Sequence, residues 1–134
     1  QGIKINILGE LNKLSSDIKL SLKQTVNLTK SNKKILVNLG INYGSKNEIL
    51  QASKKIGKNF NIKNFSQSLY TKNMPDPDVL IRTGGHQRLS NFLLWQLAYS
   101  ELYFLKKLWP DFNSNDLKKI ISNFKKQKRN FGGI

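Results

Sequence analysis

Pro75-Asp76-Pro77-Asp78-Val79-Leu80-Ile81-Arg82-Thr83-Gly84-Gly85 is the stretch whose reading decides the fold. Each proline disfavours helix at the residue before it, so Pro75-Asp76-Pro77 is an extended loop. Asp78 to Arg82 then reads as a short strand, apolar in succession as a strand buried on both faces is, and it stops at Thr83-Gly84-Gly85. In open parallel sheets ligands bind beyond the carboxyl ends of the strands, so the loop after Arg82 is where to look.

Working outward, Ile3 to Leu8 alternates apolar and polar residues up to Gly9 and reads as a first strand. Ser15 or Ser16 can cap a helix to about Lys30, with Ile18, Leu22 and Val26 on one face. Ile35 to Leu39 is a second strand, expected to be covered on both faces. Asn42-Tyr43-Gly44 turns into a helix whose start, Ser45-Lys46-Asn47-Glu48, matches a capping box. A short helix follows near Phe65 to Tyr70. Beyond the glycine pair, Asn91 to Phe104 (NFLLWQLAYSELYF) is apolar almost all round and reads as a helix packed on every side. A last helix starts at Asn113 or Ser114 with Leu117, Ile120, Ile121 and Phe124 on one face. Strands separated by helices imply an α/β fold: a parallel sheet flanked by helices, in one domain over residues 1–134.

The formal charge is +15, which attracts phosphate without regard to sequence. Of the 23 basic residues only Arg82, Arg88 and Arg129 are arginine, and the lysines are dispersed rather than interleaved with aromatics along a stripe, so a nucleic-acid partner is not expected. The arginines are the informative cations, because a guanidinium fork grips phosphate as an ammonium cannot. The chain has no cysteine, which excludes disulfides and thiolate metal sites and fits a reducing cytoplasm. No apolar run approaches a membrane span. Gln1-Gly2-Ile3 has neither a methionine nor the features of a signal peptide and reads as a beginning in mid-protein.

The loop Arg82-Thr83-Gly84-Gly85-His86-Gln87-Arg88-Leu89-Ser90-Asn91 has the makings of a diphosphate cradle. Gly84 and Gly85 let backbone N–H groups approach an anion, Arg82 and Arg88 supply charged donors, and Ser90 stands where a helix N-terminus would favour negative charge. The same residues also admit a structural account: Arg82 in an ion pair with Asp76 or Asp78, the glycines as a turn, Ser90 as an N-cap. Glu101 is the one acid in its apolar helix, so it needs solvent, a hydrogen-bond network or a cation, and a magnesium ion beside a diphosphate is one option. His86 reads as an exposed loop residue.

Asp76 to Gly85, followed by Gln87-Arg88-Leu89-Ser90-Asn91-Phe92-Leu93-Leu94-Trp95-Gln96 and Tyr99-Ser100-Glu101-Leu102-Tyr103-Phe104, resembles the signature of the cis-prenyltransferases of the undecaprenyl diphosphate synthase type. Leu108-Trp109-Pro110-Asp111-Phe112, Phe131-Gly132-Gly133, Asn38 and Asn42-Tyr43-Gly44 extend the resemblance over the whole chain. The resemblance implies the C-terminal half of an enzyme that condenses isopentenyl diphosphate with an allylic diphosphate such as farnesyl diphosphate. It implies that Arg82, Arg88 and Ser90, with Gly84, Gly85 and Asn42, hold isopentenyl diphosphate. It further implies that Glu101 is a catalytic residue and takes part in binding Mg2+, and that Arg129 and Gly132 belong to a tail that reaches a partner's active site. A homodimer follows, centred on the helix Asn91 to Phe104, in the cytoplasm or peripheral at the membrane surface, with a polyprenyl lipid product serving cell-wall biogenesis. Departures are His86 for the usual glutamate, Ser45-Lys46 for Gly-Arg, and Asn130 for an arginine whose role Arg129 takes over from one residue earlier. The family's Asp-Gly-Asn-Gly-Arg-Trp loop, which binds the allylic diphosphate, is absent, and about half the family's length with it. The resemblance therefore implies an incomplete chain, inactive alone; a non-catalytic partner subunit of a heteromeric enzyme is the alternative.

Overall fold

A computed structural model describes residues 2–58 and 60–130. The chain folds as two compact units, one up to Met74 and one from Pro75, which are described in turn.

In the first unit, β1 (Ile3–Leu8) and β2 (Ile35–Gly40) pair in parallel, from Ile3 opposite Ile35 to Leu8 opposite Gly40. Helix α1 (Ser16–Thr29) is the crossover between them and packs on β1. Its C-terminal end also ties down β1: the Ile5 N–H donates to Thr29 Oγ1 at 3.1 Å, and Asn32 Nδ2 donates to the Ile3 carbonyl at 2.7 Å. Ser15 is the N-cap, but its side chain makes no capping bond; it hydrogen-bonds to Asp17, which holds that carboxyl below the usual aspartate range. At the carboxyl end of the strands Gly9 passes so close to Ile41 that a Cβ there would lie 2.1 Å from the Ile41 carbonyl oxygen, so only glycine fits.

The expectation that β2 is covered on both faces is overturned. Ile35, Leu36 and Leu39 are 53%, 43% and 40% exposed, because β1 alone pairs with β2 among the described residues. Apolar succession records the surroundings a strand was selected for, and those surroundings are not all within this unit.

The capping box at Ser45 is overturned as well. Helix α2 (Ser45–Ile56) has Gly44 as its N-cap, and Ser45 is its buried first residue. Glu48 turns inward, 3% exposed, where it accepts the Tyr43 phenolic O–H and the Tyr70 N–H, the latter at 2.7 Å. A capping pattern assumes a glutamate facing solvent, and here burial with two donors outweighs it. Tyr43 and Tyr70 meet edge to face at 6.3 Å. Burial, then the nearby Glu10 and Glu48, push the Tyr70 phenol above its ordinary pKa. Helix α3 (Ile62–Ser68) starts earlier than its apolar residues suggest, since Asn61 caps it by accepting the Asn64 N–H at 2.9 Å. Glu48→Ala should therefore cost about 1.5–3 kcal/mol, as two donors lose a charged acceptor. Urea titration of the two chains checks this; an unchanged midpoint would show that the buried carboxylate contributes nothing.

In the second unit, β3 (Val79–Arg82) pairs in parallel with β4 (Glu101–Phe104), Val79 opposite Glu101 and Arg82 opposite Phe104. This corrects the expected helix from Asn91 to Phe104. Ser90, Asn91 and Leu93 have φ of 48°, 63° and 45°, left-handed values that no α-helix contains, and residues 90–99 form successive turns. Its last residues, Glu-Leu-Tyr-Phe, are a strand. A short apolar run reads alike as a buried helix or a buried strand, and here backbone pairing with β3 decided it. The turns still bury Leu93, Gln96 and Leu97, and Ile120 is buried as well. Helix α4 (Ser114–Phe124) follows a 3-10 turn at Trp109–Asp111 and has a true capping box, Asn113 with Asp116. Lys107 Nζ lies 2.7 Å from Asp116 Oδ2, and this ammonium, with the Asn113 N–H, holds the Asp116 carboxyl below its ordinary pKa.

Candidate active site

The end of β3 builds the site from the backbone outward. Gly84 and Gly85 have φ of 90° and 77°, which L side chains rarely adopt, so the pair turns the chain at the strand end. The Gly84 and Gly85 N–H groups both donate at 2.8 Å, to the Lys107 and Leu105 carbonyls, continuing the β3–β4 pairing. They are thus committed to the turn, and the expectation that these amides approach an anion is corrected.

The polar side chains of the loop build a groove instead. Arg82 Nη1 donates to Ser90 Oγ at 2.8 Å and to the Arg88 carbonyl, closing the loop back onto its strand. Neither Asp76 nor Asp78 pairs with Arg82. A guanidinium has five N–H donors, and the two on Nη1 serve the loop, so those on Nη2 and Nε are not spent on it. Ser90 accepts from Arg82 and so keeps its own O–H to donate. The left-handed φ of Ser90 and Asn91 is the local strain that this closure holds in place. No helix begins at Ser90, so the helix-dipole argument for it falls and the cation beside it takes its place. Arg82, Arg88 and Ser90, with the apolar Leu80, Ile81, Leu89 and Phe92, line a groove of about 280 Å³. Such a groove suits a small molecule with an anionic head and a short hydrocarbon body.

Glu101 opens β4, half-buried, its N–H donating to the Asp78 carbonyl at 2.9 Å. It lines a second cavity of about 290 Å³ with Tyr99, Ser100, Lys128, Arg129 and Asn130. Arg129 is bound to Asp78, Nη1 to Oδ1 at 2.5 Å. His86 is exposed on the loop. Asn42 lies in the first unit, where its Nδ2 donates to the Glu10 carbonyl at 2.8 Å. Gly132 and its neighbours Phe131 and Gly133 lie outside the described residues.

A family model for undecaprenyl diphosphate synthases, the Prenyltransf family, matches residues 1–132. The chain belongs to this prenyltransferase family. It is 45% identical over 135 residues to the isoprenyl transferase of Rickettsia prowazekii, an alignment covering 98% of this chain and 60% of that one. Against the isoprenyl transferase of Clostridium perfringens it is 42% identical over 143 residues, covering 99% and 56%. The crystal structure of lavandulyl diphosphate synthase from Lavandula x intermedia, in complex with dimethylallyl diphosphate, matches it at a TM-score of 0.91 and 33% identity, over 97% of this chain and 60% of that one. The prenyltransferase chain described here thus spans 60% and 56% of the length of the two isoprenyl transferases.

Sequence reasoning missed Asp78, which lies beside Glu101. Asp78 was weighed only as a partner of Arg82, whereas its carboxylate takes Arg129 and its carbonyl takes Glu101. An acid directly before an apolar strand was a usable signal for Asp78.

Proposed function

We propose that this chain carries the isopentenyl diphosphate site of a cis-prenyltransferase that lengthens an allylic diphosphate, such as farnesyl diphosphate, by Z-configured units. The observation that carries the reading is the loop 82–90 closed on Arg82, with guanidinium donors and the Ser90 hydroxyl on one groove. In the reaction the allylic C–O bond breaks and diphosphate leaves with the electron pair. The π electrons of isopentenyl diphosphate form the new C–C bond, and loss of a proton restores a double bond. Arg82 and Arg88 neutralise and orient the isopentenyl diphosphate head, Ser90 donates to it, and the apolar residues of the groove align its hydrocarbon body, so the chain acts by positioning and preorganised charge.

Magnesium is part of this proposal, with Glu101 as one ligand. Mg2+ takes one or two carboxylates together with substrate phosphates and water. Among the described residues no group of three or more His, Cys, Asp or Glu gathers, so Glu101 fits as a single donor that others complete. When bound, the ion would draw charge from the leaving diphosphate.

The proposal extends to the assembly. The part of the enzyme outside the matched region covers β2 and supplies the allylic site, and a second copy covers Phe92, Tyr99 and Leu102, which are 39%, 59% and 43% exposed. A non-catalytic partner subunit would have no need of the cradle. Among the described residues no helix is long and apolar enough to cross a membrane; we place the enzyme in the cytoplasm, at the membrane surface where its lipid product partitions.

Isopentenyl diphosphate titrated into isotopically labelled chain should shift the amide resonances of residues 82–91 ahead of those of α1. Ser90→Ala should weaken that binding about tenfold, the worth of one charge-assisted bond. Shifts that leave the loop untouched would overturn the assignment.

A further inference from the structure

Arg129 is the arginine that the cradle does not use, and its surroundings are built. Nη1 donates to Asp78 Oδ1 at 2.5 Å, Nη2 donates to the Tyr99 carbonyl at 3.0 Å, and the guanidinium carbon lies 5.2 Å from the centre of the Phe124 ring. The side chain is only 18% exposed, so the charge is largely taken from water and held by these contacts.

The two acceptors flank one structural junction. Asp78 immediately precedes β3, and Tyr99 stands two residues before β4. Between them Ser100 Oγ donates to the Pro77 carbonyl at 2.5 Å and the Glu101 N–H donates to the Asp78 carbonyl at 2.9 Å. The guanidinium therefore bridges both sides of the place where β4 begins, and the residue that begins it is Glu101.

We infer that Arg129 is a positioning residue: by joining Asp78 to the Tyr99 carbonyl over the packed ring of Phe124, it fixes the start of β4 and so the placement of Glu101. This rests on the reading of Glu101 as an active-site carboxylate. In this role Arg129 acts through Glu101, its Nη1 and Nη2 being engaged by Asp78 and the Tyr99 carbonyl. The bridge needs a planar fork with two separated N–H directions, which a lysine at the same place cannot supply.

Two measurements test this. In the 134-residue chain, amide exchange at Glu101 should quicken roughly tenfold in Arg129→Ala and in Asp78→Asn, the double variant no faster than either single one. Arg129→Lys should recover part of the protection, and Lys118→Ala, on the exposed face of α4, should leave it unchanged. In the enzyme completed with the portion outside the matched region, Arg129→Ala and Asp78→Asn should lower kcat alike, with the KM for isopentenyl diphosphate within about twofold. Unchanged exchange at Glu101 in Arg129→Ala overturns the inference, as does a raised KM confined to the Arg129 variant. A completed enzyme without prenyl transfer would sink the proposed function, while the exchange experiment would still decide the role of Arg129.

Discussion

The purified 134-residue chain, freed of host enzymes, should incorporate no detectable labelled isopentenyl diphosphate into a longer prenyl product. The proposed function gives the chain's arginine groove to the nucleophilic substrate, and the described residues offer no comparable arginine-rich site for the allylic one. Without a held leaving group there is no allylic cation to attack. The exposed β2 residues Ile35, Leu36 and Leu39, with Trp109 at 72% exposure, should also make the isolated chain self-associate, visible by light scattering at micromolar concentration. Co-expression with the portion of an isoprenyl transferase that lies outside the matched region should restore magnesium-dependent elongation. Glu101→Ala should then remove most of it, a loss on the order of 10²-fold or more, as for other preorganised charges at a reacting centre. Turnover by the isolated chain would mean that the division of labour drawn here is wrong.

In the completed enzyme, Arg82→Ala and Arg88→Ala should each raise the KM for isopentenyl diphosphate by the equivalent of about 1.5–3 kcal/mol, with the allylic KM little changed. The effect of Arg82→Ala should be the larger. Arg88 offers its guanidinium alone, whereas Arg82 also holds Ser90 Oγ and the Arg88 carbonyl, so its removal loosens every polar group of the groove together. Arg82→Lys should recover little, because one ammonium cannot hold the loop and the ligand in separate directions. Steady-state kinetics with each substrate varied in turn decides the matter. Equal increases for both substrates would refute the assignment of the groove.

Much of the architecture was legible because local rules carried it. The start of α4 at Asn113 or Ser114 and its apolar spacing lie within a few turns of chain, as do the alternation of β1 and the proline-bounded start of β3. Arg82, Arg88 and Ser90 stood out as candidates for a chemical reason: arginine in a lysine-rich chain, beside a glycine turn at a strand end. Their geometry was not. Arg82 could equally have paired with an aspartate nearby in sequence, and only the folding of the loop put Ser90 Oγ within 2.8 Å.

By itself, then, the sequence determined the α/β class, the family through its long signature, and the identity of the polar groups around one strand end. Periodicity and turn chemistry act over a few residues, so they survive without any knowledge of neighbours. Tertiary structure alone decided that Glu-Leu-Tyr-Phe is a strand, that the glycine amides serve β4, that Glu48 faces inward, and that Arg129 closes on Asp78. Each of those outcomes is a competition among partners far apart in the chain. A buried strand and a buried helix look alike in composition, and a charged side chain goes to whichever counter-charge the fold brings within reach.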